Sequence, residues 1–233
     1  MQHLINLDKS IIPACDVRPE RYEEIIRETH EITKVGAYKI GAALALSIGL
    51  KNAVQIARRY TKKPLIYDHQ KAGNDVPDTA DEFCTVLKES GIDAVILFPF
   101  AGPATQTAWT QTAQKMGLTV IVGGFMTHER FLLSEDGYMP SSSIEKIYTN
   151  ATFQGVSDYV VPGNKPAVIE KIRSLLLAKG VSPTLYAPGF ITQGGKISDA
   201  ALVAGPRWHA IVGRAIYQAS DIKKATVLQT TNI

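Results

Sequence analysis

The chain has 233 residues, of which 45% are hydrophobic and 20% charged, and its formal net charge at pH 7 is +3. This length and composition are sufficient for one sizeable hydrophobic core. The small net charge, with no block of lysine and arginine, argues against a nucleic-acid-binding protein.

The amino terminus and the cysteines indicate a cytoplasmic protein. The opening MQHLINLDKS has no long apolar run behind a positive start, which argues against a secretory signal, and no apolar stretch approaches the length of a membrane span. Cys15 and Cys84 stand in apolar surroundings without the spacing of metal ligands. We therefore expect two reduced thiols in the core.

Short apolar segments alternate with amphipathic segments along the chain. The apolar segments are residues 10–16, 36–41, 63–68, 93–98, 118–124, 157–162, 183–188 and 208–213. Helical patterns follow most of them, at residues 18–33, 50–61, 78–91, 104–117, 165–180 and 198–205. After the fifth apolar segment comes a polar insertion around LSEDGYMPSSS. Continuous apolar runs of this kind are typical of strands buried on both faces of a parallel sheet.

Eight such repeats predict a TIM-type (β/α)8 barrel in preference to an open sheet of five or six strands. Three of the predicted helices end in a glycine after a basic last turn, in KESG, QKMG and LAKG. No linker rich in serine, glycine or proline divides the chain, so we expect residues 1–233 to form a single domain.

A barrel places its active site at the carboxyl ends of the strands, with phosphate often bound after strands seven and eight. Gly194, Gly195 and Gly213 fall there, and glycines allow backbone amides to approach an anion closely. Arg214 follows immediately and can contact phosphate oxygens with two donors. The alternative is that the glycines only form turns and Arg214 pairs with a surface acid. The combination favours a phosphate site.

Charged residues of both signs collect at the ends of the first three strands. Asp16 ends the first strand, Lys39 lies in the second, and Asp68, Lys71 and Asp75 surround the end of the third. Such charges can keep one another ionised when partly buried, and a lysine among them can donate a proton. A solvated network of salt bridges at the rim would give the same pattern, and the residue types leave both interpretations open.

Together these motifs resemble the orotidine 5'-phosphate decarboxylase family over nearly the whole chain. The matching features, in chain order, are Asp16, Lys39, Asp75-Val76-Pro77-Asp78-Thr79, Thr127, Pro188-Gly189, Gln193-Gly194-Gly195 and Gly213-Arg214. The resemblance implies decarboxylation of orotidine 5'-monophosphate (OMP) to UMP, the last step of de novo pyrimidine synthesis, without a metal or organic cofactor.

The resemblance also implies a role for each matching residue. Lys71 would stabilise the carbanion at ring carbon six and protonate it, with Asp68 beside the departing carboxylate. Lys39, counted with Asp68, Lys71 and Asp75 among the catalytic residues, would connect Asp68 to the ribose hydroxyls, and Asp16 would also bind the ribose. Thr127 would read the pyrimidine, and Pro188 would cover the base. The phosphate would be bound by Gln193, Gly194, Gly195, Gly213 and Arg214. The protein would be a homodimer, in which Asp75 and Thr79 reach the active site of the neighbouring subunit. Val76 lies in the same segment and would also contact the substrate.

The spacing of the acid-lysine-acid signature departs from the family pattern. The family has its first Asp and Lys two residues apart, whereas Asp68 and Lys71 are three apart, and the interval from Lys71 to Asp75 is also longer by one. In a regular strand, residues three apart point to opposite faces. Either the backbone bulges after Asp68, or Gln70 occupies the inward position and Lys71 points away. We favour the bulge, because Asp75, Val76 and Thr79 follow in register.

Two other functions remain as alternatives. A magnesium-dependent sugar-phosphate lyase, such as a hexulose-phosphate synthase or a keto-gulonate-phosphate decarboxylase, would carry an acidic metal ligand on the second strand, where this chain has Lys39. A catalytically silent nucleotide-binding protein would explain the altered spacing around Lys71. The purpose of the insertion at residues 129–150 cannot be interpreted from sequence.

Overall fold

The computed structural model of the protein describes residues 3–69 and 72–233. Its strands are β1 (Lys9–Cys15), β2 (Tyr38–Gly41), β3 (Leu65–Asp68), β4 (Ala94–Leu97), β5 (Thr119–Val122), β6 (Asp158–Val160), β7 (Thr184–Pro188) and β8 (Trp208–Val212). They form a closed barrel in chain order, with every neighbouring pair parallel and β8 paired to β1. The predicted (β/α)8 barrel is confirmed, and the eight strands coincide with the eight apolar segments.

Helices surround the barrel. They are α1 (Pro19–Thr29), α2 (Ala42–Ile48), α3 (Leu50–Arg58), α4 (Ala80–Glu89), α5 (Pro103–Lys115), α6 (Ser141–Phe153), α7 (Pro166–Ala178), α8 (Ile197–Val203), α9 (Arg214–Tyr217) and α10 (Ile222–Thr230). Single turns of 3-10 helix lie at Pro77–Thr79 and Leu133–Glu135. In the portions of the chain that the structure describes, no helix is both long and apolar enough to cross a membrane.

The predicted glycine stops are present at three helix ends. Gly91, Gly117 and Gly180 follow α4, α5 and α7 with φ of 84°, 74° and 77°. These values lie in the left-handed region, which glycine enters without the steric cost that a Cβ imposes. The tight stops return the chain to the amino end of the barrel for the next strand.

The core has two parts because side chains alternate across each strand. Ile11 and Cys15 of β1 belong to the larger cluster, which packs the strands against the helices. Ile12 and Ala14 of the same strand belong to a smaller cluster that contains no helical residue and fills the barrel. Both cysteines are buried free thiols, as expected. Burying each large aliphatic side chain stabilises the fold by about 1.5–3 kcal/mol.

The segment after β5 is more regular than the sequence indicates. Its first part is an irregular loop with the turn at Leu133–Glu135, but α6 begins at Ser141 and continues to Phe153. The buried residues Ile144, Ile147, Tyr148 and Ala151 recur at helical spacing. Part of the supposed insertion is therefore helix α6, whose first three residues are serines and made it look like a loop.

Candidate active site

A cleft of about 210 Å³ opens at the carboxyl end of the barrel. Its lining comes from the ends of several strands and the loops that follow them, as expected for this fold. The charged residues Asp16, Lys39 and Asp68 line the cleft. So do Gln193, Gly213 and Arg214, which were predicted to bind phosphate. The fold thus brings residues that are distant in the sequence to one cleft.

Lys39 lies between two carboxylates. Its Nζ is 2.8 Å from Asp68 Oδ2 and 3.2 Å from Asp16 Oδ2. Lys39 pairs with Ala14 of β1 and Ile66 of β3, so the neighbouring strand ends bring the two acids to it from opposite sides. Lys39 and Asp68 are each 7% exposed, so their ion pair is buried, whereas the Asp16 side chain is exposed at the cleft.

The charge of Lys39 is maintained by its partners. Burial by itself would lower the pKa of the Lys39 ammonium, but the negative charges of Asp68 and Asp16, with their hydrogen bonds, outweigh burial and raise the pKa above its ordinary value. Lys39 is thus a permanent cation at physiological pH. It is a fixed charge that holds two acids and is unsuited to proton transfer near neutrality.

Gly41 makes room for one of these acids. A Cβ at residue 41 would lie 1.6 Å from Asp16 Oδ1, far inside contact distance. The Asp16 carboxylate therefore rests directly on the backbone at the end of β2. Sequence reasoning did not assign Gly41 a role, because a single glycine after a strand has no distinctive pattern.

A second depression of about 260 Å³ reaches the same charged cluster from another side. It shares Asp16, Lys39 and Asp68 with the main cleft and is completed by Ala42, Ala43 and His69. The Nδ1 atom of His69 lies 2.5 Å from the hydroxyl of Tyr67. The charged cluster is accessible both to a ligand in the cleft and to a group approaching across α2.

Lys71, the predicted catalytic lysine, lies outside the described residues, as does Gln70. The choice between a bulge and an outward Lys71 therefore stays a prediction. The chain just beyond is well fixed: Phe98 N donates to Ala72 O at 3.0 Å, and Phe100 N donates to Asn74 Oδ1 at 2.8 Å. Gly73, with φ of 87°, packs against Pro99.

Asp75, Val76 and Thr79 do not line the cleft of their own chain. Asp75 is exposed and Val76 is 57% exposed. Their backbone is nevertheless held in place, since Thr105 donates to Asp75 O at 2.9 Å and Trp109 Nε1 donates to Val76 O at 3.1 Å. The segment is a fixed outward projection.

The middle of the cleft carries aromatic and apolar groups that sequence reasoning did not assign. Phe98, Phe125 and Met126 line it next to Thr127, which was predicted. The buried hydroxyl of Tyr148 on α6 accepts from the amides of Gly124 and Phe125 at 3.2 and 3.3 Å, and donates to a β6 carbonyl at 2.7 Å. Tyr148 thus fixes the backbone that presents these side chains.

The loop after β7 carries several of the residues predicted to bind phosphate. Pro188 and Gln193 line the cleft, but Gly194 and Gly195 do not. Their amides donate within the loop itself, from Gly194 to Ile191 O at 3.0 Å and from Gly195 to Gly189 O at 3.3 Å. An anion could receive these two amides only if the loop exchanged its internal hydrogen bonds.

Comparisons with known proteins agree with this geometry. Residues 9–227 match the family described as orotidine 5'-phosphate decarboxylase / HUMPS. The chain is 34% identical to an orotidine 5'-phosphate decarboxylase of Methanosarcina mazei, over 92% of this chain and 90% of that protein. A counterpart from Methanosarcina barkeri is 32% identical over the same shares.

Solved structures agree as well. Orotidine 5'-monophosphate decarboxylase from Methanocaldococcus jannaschii, in complex with the inhibitor BMP, superposes with a TM-score of 0.83 at 25% identity, covering 96% of this chain and 98% of that one. The match extends over the strands and loops that build the cleft. The chain therefore belongs to the orotidine 5'-phosphate decarboxylase / HUMPS family.

Proposed function

We propose that this protein decarboxylates orotidine 5'-monophosphate to UMP. The observation that carries the proposal is the Asp16–Lys39–Asp68 cluster, with its Lys39–Asp68 pair buried, in a cleft that Gln193 and Arg214 also line. A nucleotide fits this arrangement, with its reacting ring near the charges and its phosphate at the distant arginine. The proteins of the same family named above as orotidine 5'-phosphate decarboxylases support the choice of substrate.

The chemistry requires a fixed cation at ring carbon six. When the bond from that carbon to the carboxylate breaks, CO2 leaves and the electron pair stays on the carbon. A preorganised ammonium stabilises this carbanion and then protonates it. We assign this role to Lys71, which comes three residues after Asp68 in the sequence. Lys39 is already committed to two acids, 2.8 and 3.2 Å away.

Asp68 would lie against the departing carboxylate. Its position is fixed by the 2.8 Å ion pair with Lys39, so it cannot turn away from the substrate at little cost. Asp16 and Lys39 face the second depression as well as the cleft, a position suited to the ribose hydroxyls. The residues of the cluster thereby have three separate tasks: holding the sugar, holding Asp68 and opposing the carboxylate.

The remote phosphate contributes binding energy without taking part in the reaction. Arg214 and Gln193 would bind it, joined by the Gly194 and Gly195 amides once the loop after β7 rearranges. Pro188 would then cover the base, and Thr127 would bind its polar edge. Closing the loop over a bound nucleotide also excludes water from the charged cluster.

We further propose a homodimer in which each chain completes the other's site with Asp75 and Thr79. Two observations support it: these residues do not line the cleft of their own chain, and the projecting segment is held rigidly. Val76 in the projecting segment and Leu46 of α2 are exposed apolar residues, at 57% and 83% exposure. Burial of such side chains against a second copy would stabilise the pair.

A cytoplasmic location belongs to the same proposal. The two buried cysteines are unpaired, and cysteines remain reduced in that compartment.

The proposal is tested by measuring CO2 release from OMP by the purified protein, with and without a chelator. We expect turnover that a chelator does not change, because an ammonium occupies the place between the two acids where a lyase of the HUMPS type would need a divalent ion. Chelator-sensitive activity on a sugar phosphate would favour that lyase. Tight UMP binding without any CO2 release would favour a silent nucleotide-binding protein.

A further inference from the structure

Asn164 connects two loops of the site without lining the cleft. It follows β6, and its Nδ2 donates to Thr127 O at 2.9 Å and to Gln193 O at 3.3 Å. Thr127 belongs to the loop after β5 and Gln193 to the loop after β7, and both line the cleft. One side-chain amide therefore links the two loops that would bind the base and the phosphate.

The loop after β7 is shaped around this side chain. A Cβ at Gly195 would lie 2.9 Å from Asn164 Cα, and a Cβ at Gly189 would lie 3.2 Å from Asn164 Oδ1. The two glycines thus allow the loop to pass closely over residue 164. Any change in the position of Asn164 must be accommodated by the loop that carries Gln193.

Asn164 Oδ1 has no hydrogen-bond partner among residues 3–69 and 72–233, although it is buried. An unpaired buried acceptor destabilises a protein by about 1–3 kcal/mol, so it is rarely kept without a reason. This oxygen lies beside Gly189, within reach of amide donors of the same loop once that loop changes conformation.

The next residue acts on the same segment from the other side. Lys165 Nζ lies 3.4 Å from His128 O and 3.4 Å from Glu135 Oε1. Asn164 and Lys165 therefore hold the consecutive carbonyl groups of Thr127 and His128. Asn164 bonds to the carbonyl groups of both Thr127 and Gln193, and so connects the two loops. The bond from Lys165 to His128 O lies on the base loop alone.

We infer that Asn164 is a positioning residue that couples the phosphate loop to the base loop. When Gln193 and Arg214 engage a phosphate, the bond from Asn164 fixes Thr127 at the polar edge of the base. This inference rests on the proposed function, since it assigns the two loops to the two ends of one nucleotide. It explains how a phosphate remote from the ring can affect the position of groups at the ring.

The test substitutes Asn164→Asp, which preserves the shape of the side chain but removes both donors. The dissociation constants of UMP and of uridine, which lacks the phosphate, are measured by calorimetry. We expect the preference for UMP over uridine to fall about tenfold. KM for OMP should rise by a similar factor, and kcat should change by less than about threefold. An unchanged preference would overturn the coupling.

A double-mutant cycle sharpens the result. In the unsubstituted protein, Gln193→Ala should weaken UMP binding strongly. In the Asn164→Asp variant, the same substitution should weaken UMP binding further by less than about twofold, because the effects of coupled residues are not additive. Additive effects would overturn the inference. Asn164→Ser also loses both long-range bonds without adding a charge, and it provides the same readout if Asn164→Asp does not fold.

Two controls complete the design. Asn52→Asp makes the same change on the exposed surface of α3, where the amide also donates to a carbonyl, at 2.7 Å, and should leave the preference unchanged. Lys165→Met disturbs the base loop alone and should lower UMP and uridine affinity equally. Turnover of OMP is recorded separately, so failure to decarboxylate would count against the proposed function while the binding data still decide the coupling.

Discussion

The two ends of the barrel both contain buried polar clusters, but the clusters differ in charge. At the carboxyl end, Lys39 forms ion pairs with Asp16 and Asp68 beside an open cleft. Toward the amino end, His209 is hydrogen-bonded to Ser10 at 2.8 Å, with Tyr186 packed against its ring. His209 and Ser10 are fully buried. The first cluster is held by ion pairs and lines an open cleft, whereas His209 and Ser10 are closed off from solvent.

Burial acts on both clusters, and partners decide the outcome. Burial and the positive charges of Arg207 and His3 lower the pKa of His209 to about 3. Burial raises the pKa of Asp158 despite hydrogen bonds from Ser157 and Tyr186. At the carboxyl end, opposite charges reverse the effect of burial on Lys39. Lys39 therefore stays charged beside the cleft, where a substrate can contact it, whereas His209 is neutral where it only packs inside the barrel.

The largest effect is expected from Lys71→Ala at the carboxyl end. Removal of the ammonium proposed to stabilise and protonate the carbanion should lower kcat for OMP at least about 10³-fold. The dissociation constant of UMP should change by less than about threefold, because a product without charge at carbon six gains little from this cation. Single-turnover CO2 release and calorimetry with UMP measure the two quantities.

The matched control is Lys62→Ala, which removes an exposed lysine just before β3 and should leave both quantities unchanged. Near-normal turnover by Lys71→Ala would show that the lysine points away from the site, and the bulge after Asp68 would be refuted.

The next effect is expected from Lys39→Met, which removes the Lys39 ammonium from its ion pair with the buried Asp68. Breaking a buried ion pair from one side destabilises proteins by about 3–5 kcal/mol, and kcat/KM should fall about 10²-fold as Asp16 and Asp68 repel each other. Urea unfolding and steady-state kinetics measure these losses. Lys63→Met is the control, because Lys63 is bonded to Ile32 O at 2.9 Å and holds no carboxylate there. Equal losses in the two variants would contradict a special role for the cluster.

A smaller loss is expected from Arg214→Ala at the phosphate end. We expect KM for OMP and the dissociation constant of UMP to rise about 100-fold, equivalent to about 2.7 kcal/mol, with a lesser effect on kcat. Uridine binding should be unaffected, since uridine carries no phosphate. Arg27→Ala on the exposed face of α1 serves as the control. A loss confined to kcat would place Arg214 in the wrong part of the mechanism.

The fold was predictable because eight apolar segments alternate with helical patterns along the chain, as the strands and helices of a (β/α)8 barrel do. Each strand is a continuous buried run, and glycines end several helices with the required positive φ. Four helices were not predicted, α2, α6, α9 and α10, and two of them escaped prediction for local reasons. In α2, AALALSI has only Leu44 fully buried, so it shows no amphipathic pattern, and α6 begins with three serines.

The charged part of the site was predictable, and the residues that position it were not. Asp16, Lys39 and Asp68 are conspicuous because charged residues rarely end buried strands. Tyr148 and Asn164 act through contacts with segments 12 to 37 residues away, and neither has a local pattern that announces such contacts. Their roles follow only from tertiary structure.

The smallest effect concerns the closed end and its response to pH. The pKa of His209 in the folded protein is about 3, below the ordinary value of 6.5. Between these two values the unfolded chain binds a proton at His209 that the folded protein does not bind. Stability should therefore be complete above pH 6.5 and decline as pH falls, at a limiting slope of about 1.4 kcal/mol per unit. Between pH 6.5 and 5.0 the loss from this residue approaches about 2 kcal/mol.

His209→Asn should remove that part of the decline, because asparagine can still bond Ser10 and does not titrate. Free energies of unfolding in urea at pH 7.0, 6.0 and 5.0 provide the slope for each variant. His30→Asn, at the outer end of α1, is the control and should keep the parent slope. Decarboxylation at pH 7 should be the same in His209→Asn as in the parent, since neither Ser10 nor His209 lines the cleft. If His209→Asn retained the full decline, His209 would have to be ionised in the folded protein as it is in the unfolded chain. The difference in charge between the two ends of the barrel would then be refuted.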